Sequence, residues 1–262
     1  MKKRRRRRWV VKAGSNMVCS GGPLLARAWM QQLGALKREH GVEVIWVTSG
    51  AIASATERTH FLPKGKRTLS EKQALSAIGQ PLVMDLYNLA LQTTGMLGAQ
   101  VLLTYDDLSN RERRSNFANT LEQLLKWDVT PILNENDAVA TEEIKFGDND
   151  SLSAKIAAVM KAERLIILTD VEGLYDSDPR RNPSAELVHS LARVTPKLLA
   201  QTGSHSGSSR GTGGMYSKLK AAREAGLKGI ETWLVKGDLP HVLTRVADDE
   251  IVGTRIRVTR AR

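Results

Sequence analysis

The sequence predicts an α/β protein in which helices cover both faces of a mostly parallel sheet. Short apolar runs alternate with longer segments of helical periodicity along the 262 residues, which is typical of repeated strand–helix units. Residues 165–168 read Leu-Ile-Ile-Leu, and a wholly apolar strand of this kind indicates a sheet buried on both sides. Aromatic residues make up only 5% of the chain, which favours helices layered on a sheet over an all-β sandwich.

Six apolar runs are the predicted strands, and five segments with apolar residues at helical spacing are the predicted helices. The strands are expected over residues 9–11, 42–47, 99–103, 129–133, 165–168 and 230–235. The helices are expected over residues 22–39, 70–94, 111–126, 151–162 and 214–228.

The chain shows no internal repeat and no clear linker, so we expect one domain over residues 9–262 after a basic tail of residues 1–8. Its only cysteine, Cys19, excludes an internal disulfide and a cysteine-based metal site, and it agrees with a reducing cytosol. No apolar run approaches the ~18 residues that a membrane-spanning helix needs.

The net charge of +11 is concentrated at the start of the chain. Residues 2–8 are all lysine or arginine, and removing these seven charges leaves +4 on the rest. No long apolar stretch follows, which argues against a signal peptide. A disordered or strand-flanking tail, a contact with nucleic acid or another acidic surface, and a localisation signal all remain open.

Ligands of open α/β sheets bind beyond the carboxyl ends of the strands, so the residues that follow each strand are candidates for a site. The first strand leads into Lys12, Gly14 and Ser15. Backbone N–H groups and a lysine are what a phosphoryl group in transfer requires, because its negative charge spreads over several oxygens. The alternative is that Lys12 is a solvated residue at the end of a strand.

Two further junctions have a similar character. The second strand leads into Ser49, Gly50 and Ala51, where glycine permits close approach and a following helix N-terminus favours an anion. The strand at 165–168 leads into Thr169 and Asp170.

Segment 134–150 carries two polar clusters that bracket a short, amphipathic, hairpin-like stretch. Amide groups could hold both the amine and the carboxylate of an amino acid, and carboxylates could hold its ammonium group or orient a lysine. Any one of these residues could instead form a turn, and Asp150 could cap the helix that follows. The candidate residues are Asn134, Asp137, Asp148, Asn149 and Asp150.

A glycine-rich loop leads into the predicted helix that contains Lys218. Glycines followed by a helix N-terminus form an anion site, although a flexible surface loop before an ordinary helix would have the same pattern. The spacing is not that of a P-loop, because no glycine directly precedes Lys218. The candidate residues are Gly211, Thr212, Gly213, Gly214, Met215, Tyr216, Ser217 and Lys218. Together, the junctions predict an α/β enzyme that handles phosphate.

Six segments, in this order, resemble motifs of the amino-acid kinase family. They are VVKAGS (10–15), TSGAIA (48–53), NENDAVAT (134–141), FGDNDSLSA (146–154), LTDVEGLYDSDPR (168–180) and GTGGMYSK (211–218). The pair NEND and GDND resembles the glutamate 5-kinase branch rather than the aspartokinases, carbamate kinases or acetylglutamate kinases. The likeness covers about residues 9–255.

The resemblance implies a three-layer αβα sandwich with an open, mainly parallel central sheet. It implies a cytoplasmic enzyme of proline biosynthesis that phosphorylates the side-chain carboxylate of L-glutamate with ATP, with Mg²⁺ held by the ATP phosphates rather than by protein ligands. It also implies a homo-oligomer, either a dimer or a tetramer, with no membrane or nucleic-acid partner. An acceptor-binding half over about residues 9–160 and a nucleotide-binding half over about 161–262 are an interpretation of the motifs.

Residue roles follow from the same resemblance. Lys12 and Lys218 match the two lysines that neutralise the phosphates, and Asp150 matches the carboxylate that organises them. The expected glutamate site comprises Ser49, Gly50, Ala51, Asn134, Asp137, Asp148 and Asn149. The expected ATP site comprises Gly14, Ser15, Thr169, Asp170 and residues 211–218.

The chain also departs from the family pattern. Many glutamate 5-kinases carry a C-terminal PUA domain, whereas this sequence stops soon after Gly253 and Thr254, so no PUA domain is expected. Two other functions stay open at this point: a related kinase that acts on another carboxylate or on a nucleotide, and a nucleic-acid-binding protein that uses its basic termini.

Overall fold

The computed structural model describes residues 7–62, 65–140, 149–203 and 214–258. Within these ranges, eight strands form one sheet in the order β3-β4-β2-β1-β5-β7-β8-β6. The strands are β1 Arg7–Ala13, β2 Val42–Val47, β3 Leu97–Leu103, β4 Val129–Glu135, β5 Arg164–Thr169, β6 Ser190–Leu191, β7 Glu231–Lys236 and β8 Thr254–Ile256. Every neighbouring pair is parallel except β7 and β8, which are antiparallel.

Nine helices accompany this sheet in the described part of the chain. They are α1 Ser15–His40, α2 Ala51–Thr59, α3 Leu69–Gln92, α4 Tyr105–Ser109, α5 Arg111–Lys126, α6 Asn149–Val159, α7 Pro196–Gly203, α8 Met215–Gly226 and α9 Val242–Ala247.

The helices pack on the two faces of the sheet as two apolar cores, because side chains alternate between the faces along each strand. On one face, Trp9 and Val11 of β1 pack with residues of α1, α3 and α9. On the other face, Val10 packs with residues of α5, α6 and α8. The predicted parallel sheet with helices on both sides is therefore confirmed.

All six predicted strands and all five predicted helices are present. Four of the strands and α1 are longer than predicted, whereas α3, α6 and α8 are shorter by one to three residues. Helix α1 begins at Ser15 rather than near residue 22. It is kinked at Gly22, which has a φ of 54° and precedes Pro23. A glycine with positive φ before a proline ends the helical pattern in the sequence, which explains why only the second part was predicted. The elements that were not predicted (α2, α4, α7, α9, β6 and β8) are short and depend on tertiary packing.

Strand β1 begins inside the segment that was predicted to be a basic tail. Arg7 pairs with Glu163 at 3.0 Å. Arg8 lies between Glu43 at 3.1 Å and Glu122 at 2.6 Å. Arg7 and Arg8 are thus the first two residues of the central strand β1 and not part of a separate tail.

The topology fixes where a ligand site can form. Strand β1 lies at the centre, with β2 on one side and β5 on the other, so the carboxyl ends of these strands share one edge. The chain winds away from β1 in both directions, and such a switch point leaves a crevice at that edge. Among the described residues, no helix has the length and apolarity to span a membrane.

Candidate active site

Two lysines and one aspartate from three different elements meet at the crevice. Lys12, near the end of β1, places its Nζ 2.6 Å from Asp150 Oδ1 at the start of α6. Lys218, in the first turns of α8, places its Nζ 3.3 Å from Asp150 Oδ2. Both lysines are buried and Asp150 is fully enclosed. Two ammonium groups share one carboxylate, so the three side chains together carry a charge of +1.

Asp150 stays ionised in this enclosed position. Burial alone would raise its pKa, but the charges of Lys12 and Lys218 and the hydrogen bonds from Lys12 and Ser217 lower it to about 2. The Ser217 hydroxyl lies 2.9 Å from Asp150 Oδ2 and 2.8 Å from the carbonyl oxygen of Gly214. The aspartate therefore acts as a fixed anion that holds both lysines in place.

Two helix N-termini begin beside this cluster. Gly14 is the N-cap of α1, and a Cβ at this position would lie 3.6 Å from Lys12 Nζ. Gly14 has a φ of −75°, and 3.6 Å is an ordinary contact distance, so neither the backbone conformation nor a clash requires glycine here. Gly214 is the N-cap of α8, and neither glycine supplies a side-chain cap to the first turn of its helix. N–H groups of a first turn that lack such a cap favour an anion.

The other predicted nucleotide-site residues in the described ranges lie around these N-termini. Ser15 and Met215 are the first residues of α1 and α8, and the side chain of Tyr216 is exposed. Thr169, at the end of β5, is buried and donates to Asp170 Oδ1 at 3.2 Å.

Asp170 is held by a residue that the sequence did not indicate. Asn16 Nδ2 donates to Asp170 Oδ2 at 3.1 Å. Partial burial of Asp170 opposes ionisation, but the hydrogen bonds from Asn16, its own backbone and Thr169 lower its pKa. This carboxylate is therefore charged at the mouth of the crevice.

A network of neutral amides lies next to the charged cluster, on the side of β2 and β4. Asn149 directly precedes Asp150, and its Nδ2 donates to the carbonyl oxygen of Thr48 at 2.7 Å, to Ser49 Oγ at 2.8 Å and to Asn134 Oδ1 at 2.9 Å. The first turn of α6 therefore contributes to both parts of the site.

The loop after β2 has the backbone that its sequence predicted. Gly50 has a φ of 98°, which favours glycine, and it is the N-cap of α2, whose first residue is the buried Ala51. The loop after β4 is held by helix α3, since Ser76 Oγ donates to Asp137 Oδ2 at 2.9 Å. Burial raises the pKa of Asp137, and this hydrogen bond only partly offsets the effect.

Four predicted site residues lie outside the described ranges, namely Asp148, Gly211, Thr212 and Gly213. The structure also places four residues at the site that sequence reasoning missed: Asn16, Ser76, Gln80 and Tyr87. For the last three, the sequence shows only polar side chains at helical spacing, which does not reveal that this face of α3 approaches the site. Among the described residues, no three His, Cys, Asp or Glu side chains lie together as a metal site.

Comparison with known proteins identifies the family. The model of the amino acid kinase family matches residues 7–236. A glutamate 5-kinase of Deinococcus radiodurans is 44% identical over 252 residues, which cover 95% of this chain and 69% of that protein. A glutamate 5-kinase of Ectopseudomonas mendocina is 43% identical over 258 residues, which cover 97% of this chain and 68% of that protein.

A solved structure supports the fold independently. The aspartate kinase from Synechocystis superposes with a TM-score of 0.63 at 20% identity, covering 97% of this chain and 40% of that one. The three-layer arrangement predicted from the motifs is therefore the fold of this chain. With the lysine–aspartate cluster in place, the matches show that the chain belongs to the amino acid kinase family and, within it, to the glutamate 5-kinases.

Proposed function

We infer that the protein transfers the terminal phosphoryl group of ATP to the side-chain carboxylate of L-glutamate, giving ADP and L-glutamyl 5-phosphate at the start of proline biosynthesis. The observation that carries this proposal is the Lys12–Asp150–Lys218 cluster, which lies directly beside the amide network of Asn134 and Asn149. The charged cluster suits a polyanion such as ATP, and the amide network suits an amino acid. Glutamate as the acceptor agrees with the family to which the chain belongs.

The reaction needs no general base. A free glutamate side chain titrates near ~4.3, so at neutral pH its carboxylate is already an ionised nucleophile. The difficulty is to bring this anion against the terminal phosphate of ATP. Lys12 and Lys218 oppose that repulsion with a charge that Asp150 only half cancels, and their fixed positions align the two reactants.

The proposal assigns a role to each of the surrounding residues. Ser49, Gly50, Ala51, Asn134, Asp137 and Asn149 surround the acceptor, and Asp148 belongs to the same proposed set. Gly14, Ser15, Thr169, Asp170 and residues 211–218 receive the nucleotide. Mg²⁺ would be held by the phosphates of ATP and would neutralise part of their charge.

The decisive experiment compares ADP release with L-glutamate, L-aspartate and N-acetyl-L-glutamate in a coupled assay. We expect release that depends on glutamate and on Mg²⁺, with little from the other two acceptors. ADP release of equal rate without glutamate, or a clear preference for another acceptor, would overturn the proposal.

We further infer a homo-oligomer in the cytoplasm. Its support is an edge strand, β3, with exposed Leu97 and Leu102, which packs against helix α3, where Leu89 is also exposed. The single cysteine agrees with a reducing compartment. Light scattering after gel filtration tests the assembly, and a monomer at micromolar concentration would contradict it.

A further inference from the structure

Helix α3 presents a line of polar side chains to the proposed acceptor site. Gln73, Ser76, Gln80 and Tyr87 are separated by three, four and seven residues, which places them on one face of the helix. Each of the four makes a hydrogen bond to the end of β4, to the loop after β4 or to the loop after β2. Gln73 donates to the carbonyl oxygen of Ala140, and Ser76 donates to Asp137 Oδ2. Gln80 donates to the carbonyl oxygen of Glu135 at the end of β4, and the Tyr87 hydroxyl accepts from Thr48 Oγ1.

Gln80 occupies the centre of this line and is buried. Its Nε2 donates to the carbonyl oxygen of Glu135 at 3.2 Å, and its Oε1 accepts from Asn134 Nδ2 at 3.1 Å. Asn134 Oδ1 then accepts from the backbone N–H of Glu135 at 2.9 Å and from Asn149 Nδ2 at 2.9 Å. The three side chains therefore form a continuous amide relay from α3 to the first turn of α6.

Backbone groups determine which end of each amide faces which way. A backbone carbonyl oxygen can only accept a hydrogen bond. The carbonyl oxygen of Glu135 therefore faces the NH₂ group of Gln80, and the carbonyl oxygen of Thr48 faces the NH₂ group of Asn149. A backbone N–H can only donate, so the Glu135 N–H requires the oxygen end of Asn134. The direction of the relay is thus fixed at every member.

At the end of the relay, this direction leaves the side-chain oxygen of Asn149 without a hydrogen bond from the described residues. All the hydrogen bonds of the Asn149 amide in the described structure are made by its NH₂ group. Its Oδ1 is enclosed and has no hydrogen-bond partner among the described residues. A buried amide oxygen without a donor is costly, so a ligand that supplies an N–H group there gains affinity. The α-ammonium group of an amino acid is such a donor.

We propose that Gln80 is a positioning residue which, through Asn134, holds the Asn149 side-chain oxygen ready to accept from the α-ammonium group of the acceptor substrate. Gln80 does not touch the substrate itself. The proposal rests on the proposed glutamate kinase function and adds to it the means by which an amino acid is preferred over a dicarboxylate that lacks the amine.

The test replaces Gln80 by methionine, which keeps the length and volume of the side chain and removes its hydrogen bonds to Glu135 and Asn134, together with two longer ones, at 3.5 Å, to Ser76 and Gln100. Gln92→Met on the same helix, at an exposed position, is the matched control. We expect the KM for glutamate to rise about tenfold in the Gln80 variant, with kcat and the KM for ATP within about twofold of the wild type. Loss of one well-placed hydrogen-bonding group corresponds to a change of this size.

Glutarate separates positioning from general damage. It carries both carboxylates of glutamate and no amine, so its competitive inhibition constant measures the rest of the site. We expect that constant to change less than twofold in Gln80→Met while the KM for glutamate rises. Equal rises for both compounds, or no rise for either, would overturn the proposal. If the wild type itself gives no glutamate-dependent ADP, it is the proposed function that fails.

Gln80→Glu supplies a second measurement if the methionine variant does not fold. A neutral glutamic acid can still donate to the Glu135 carbonyl oxygen, whereas the ionised form would face that oxygen with a negative charge. Burial raises the pKa of such a group towards neutrality. For each protein, the KM for glutamate at pH 8 is divided by the KM at pH 6. We expect this ratio to be at least threefold larger for Gln80→Glu than for the wild type. A parallel pH dependence in the two proteins would contradict the role.

Discussion

The two halves of the site achieve order by opposite means. On the phosphate side, Lys12, Asp150 and Lys218 are charged and buried, and their geometry depends on ion pairs at 2.6 and 3.3 Å. On the acceptor side, Gln80, Asn134 and Asn149 are neutral, and backbone groups fix their direction. Charge is required where negative charge is transferred, and neutral amides suit a ligand that carries both signs. We therefore expect changes on the first side to affect kcat and changes on the second to affect the KM for glutamate.

The largest effect should come from the lysines. Lys12→Ala and Lys218→Ala each remove a positive charge that opposes repulsion between the reactants, and kcat should fall on the order of 10²- to 10³-fold. Lys220→Ala, at an exposed position on the same helix as Lys218, should keep the wild-type rate. Rates are measured by coupled ADP release, with circular dichroism to check folding. Wild-type turnover in either variant would remove that lysine from the proposed mechanism.

Replacing the shared anion should affect both rate and stability. Asp150→Asn leaves two buried ammonium groups without their counter-charge, which costs about 3 kcal/mol of unfolding free energy and should lower kcat at least tenfold. Asp85→Asn, an exposed change on α3, is the control. Urea unfolding at pH 7 measures the difference. An Asn variant as stable as the wild type would show that the ion pairs do not hold the site together.

The same aspartate predicts a pH dependence of known sign. Its pKa is lowered to about 2 in the folded protein, against ~3.9 when unfolded. Its stabilising contribution is thus complete above pH 4 and is lost as the pH falls from about 4 towards 2. The contribution is roughly 3 kcal/mol. Urea titrations from pH 6 to pH 3 should show a steeper loss for the wild type than for Asp150→Asn, and parallel curves would refute the assignment.

A smaller effect, confined to the acceptor side, should follow from Gly79→Ala. A Cβ at this position would lie 1.8 Å from the carbonyl oxygen of Ala51, so α2 and the preceding Ser49–Gly50 loop must move. We expect a loss of about 1–3 kcal/mol in stability and a rise of about tenfold in the KM for glutamate, with the KM for ATP unchanged. Gly226→Ala, where a Cβ meets nothing within 4 Å, is the control. A matching rise in the KM for ATP would show that the two sides are not separate.

The smallest effect should come from Tyr87→Phe. The Tyr87 hydroxyl is fully buried and accepts from the Thr48 hydroxyl at 3.0 Å, and burial raises its pKa to about 12, so it is neutral at any working pH. Its removal should cost about 1 kcal/mol and raise the KM for glutamate no more than threefold, because Thr48 can still donate to the carbonyl oxygen of Ser49. Tyr175→Phe, near the surface, should leave both the stability and the KM for glutamate unchanged. A fall in kcat instead would contradict the division between the two sides.

The sequence predicted the two sides unequally. The strand Leu-Ile-Ile-Leu and the helical periodicities indicated the sheet and its main helices, because burial on both faces leaves a clear apolar pattern. Lys12, Asp150 and Lys218 each look ordinary alone, and only the set of motifs brought them together.

Gln80 could not be found in this way. It lies in a helix far from any motif, and its importance depends on the approach of α3 to β4, which no local pattern records. The contact of Gly79 with Ala51 is of the same kind, since a glycine within a helix does not reveal what packs against it.

Lys12, Asp150 and Lys218 meet in the folded protein but lie far apart in the sequence, and this affects how the protein folds. Lys12 is synthesised early, but its strand is completed only when β5 pairs with it, and Lys218 comes 68 residues after the aspartate that binds it. Contacts between such distant segments form late, because long loops must close first, and proteins rich in them fold slowly. Until then Lys12 lies beside apolar strand residues without its anion. We therefore expect the N-terminal half alone to remain loosely packed, and the finished crevice to appear in one late, cooperative step.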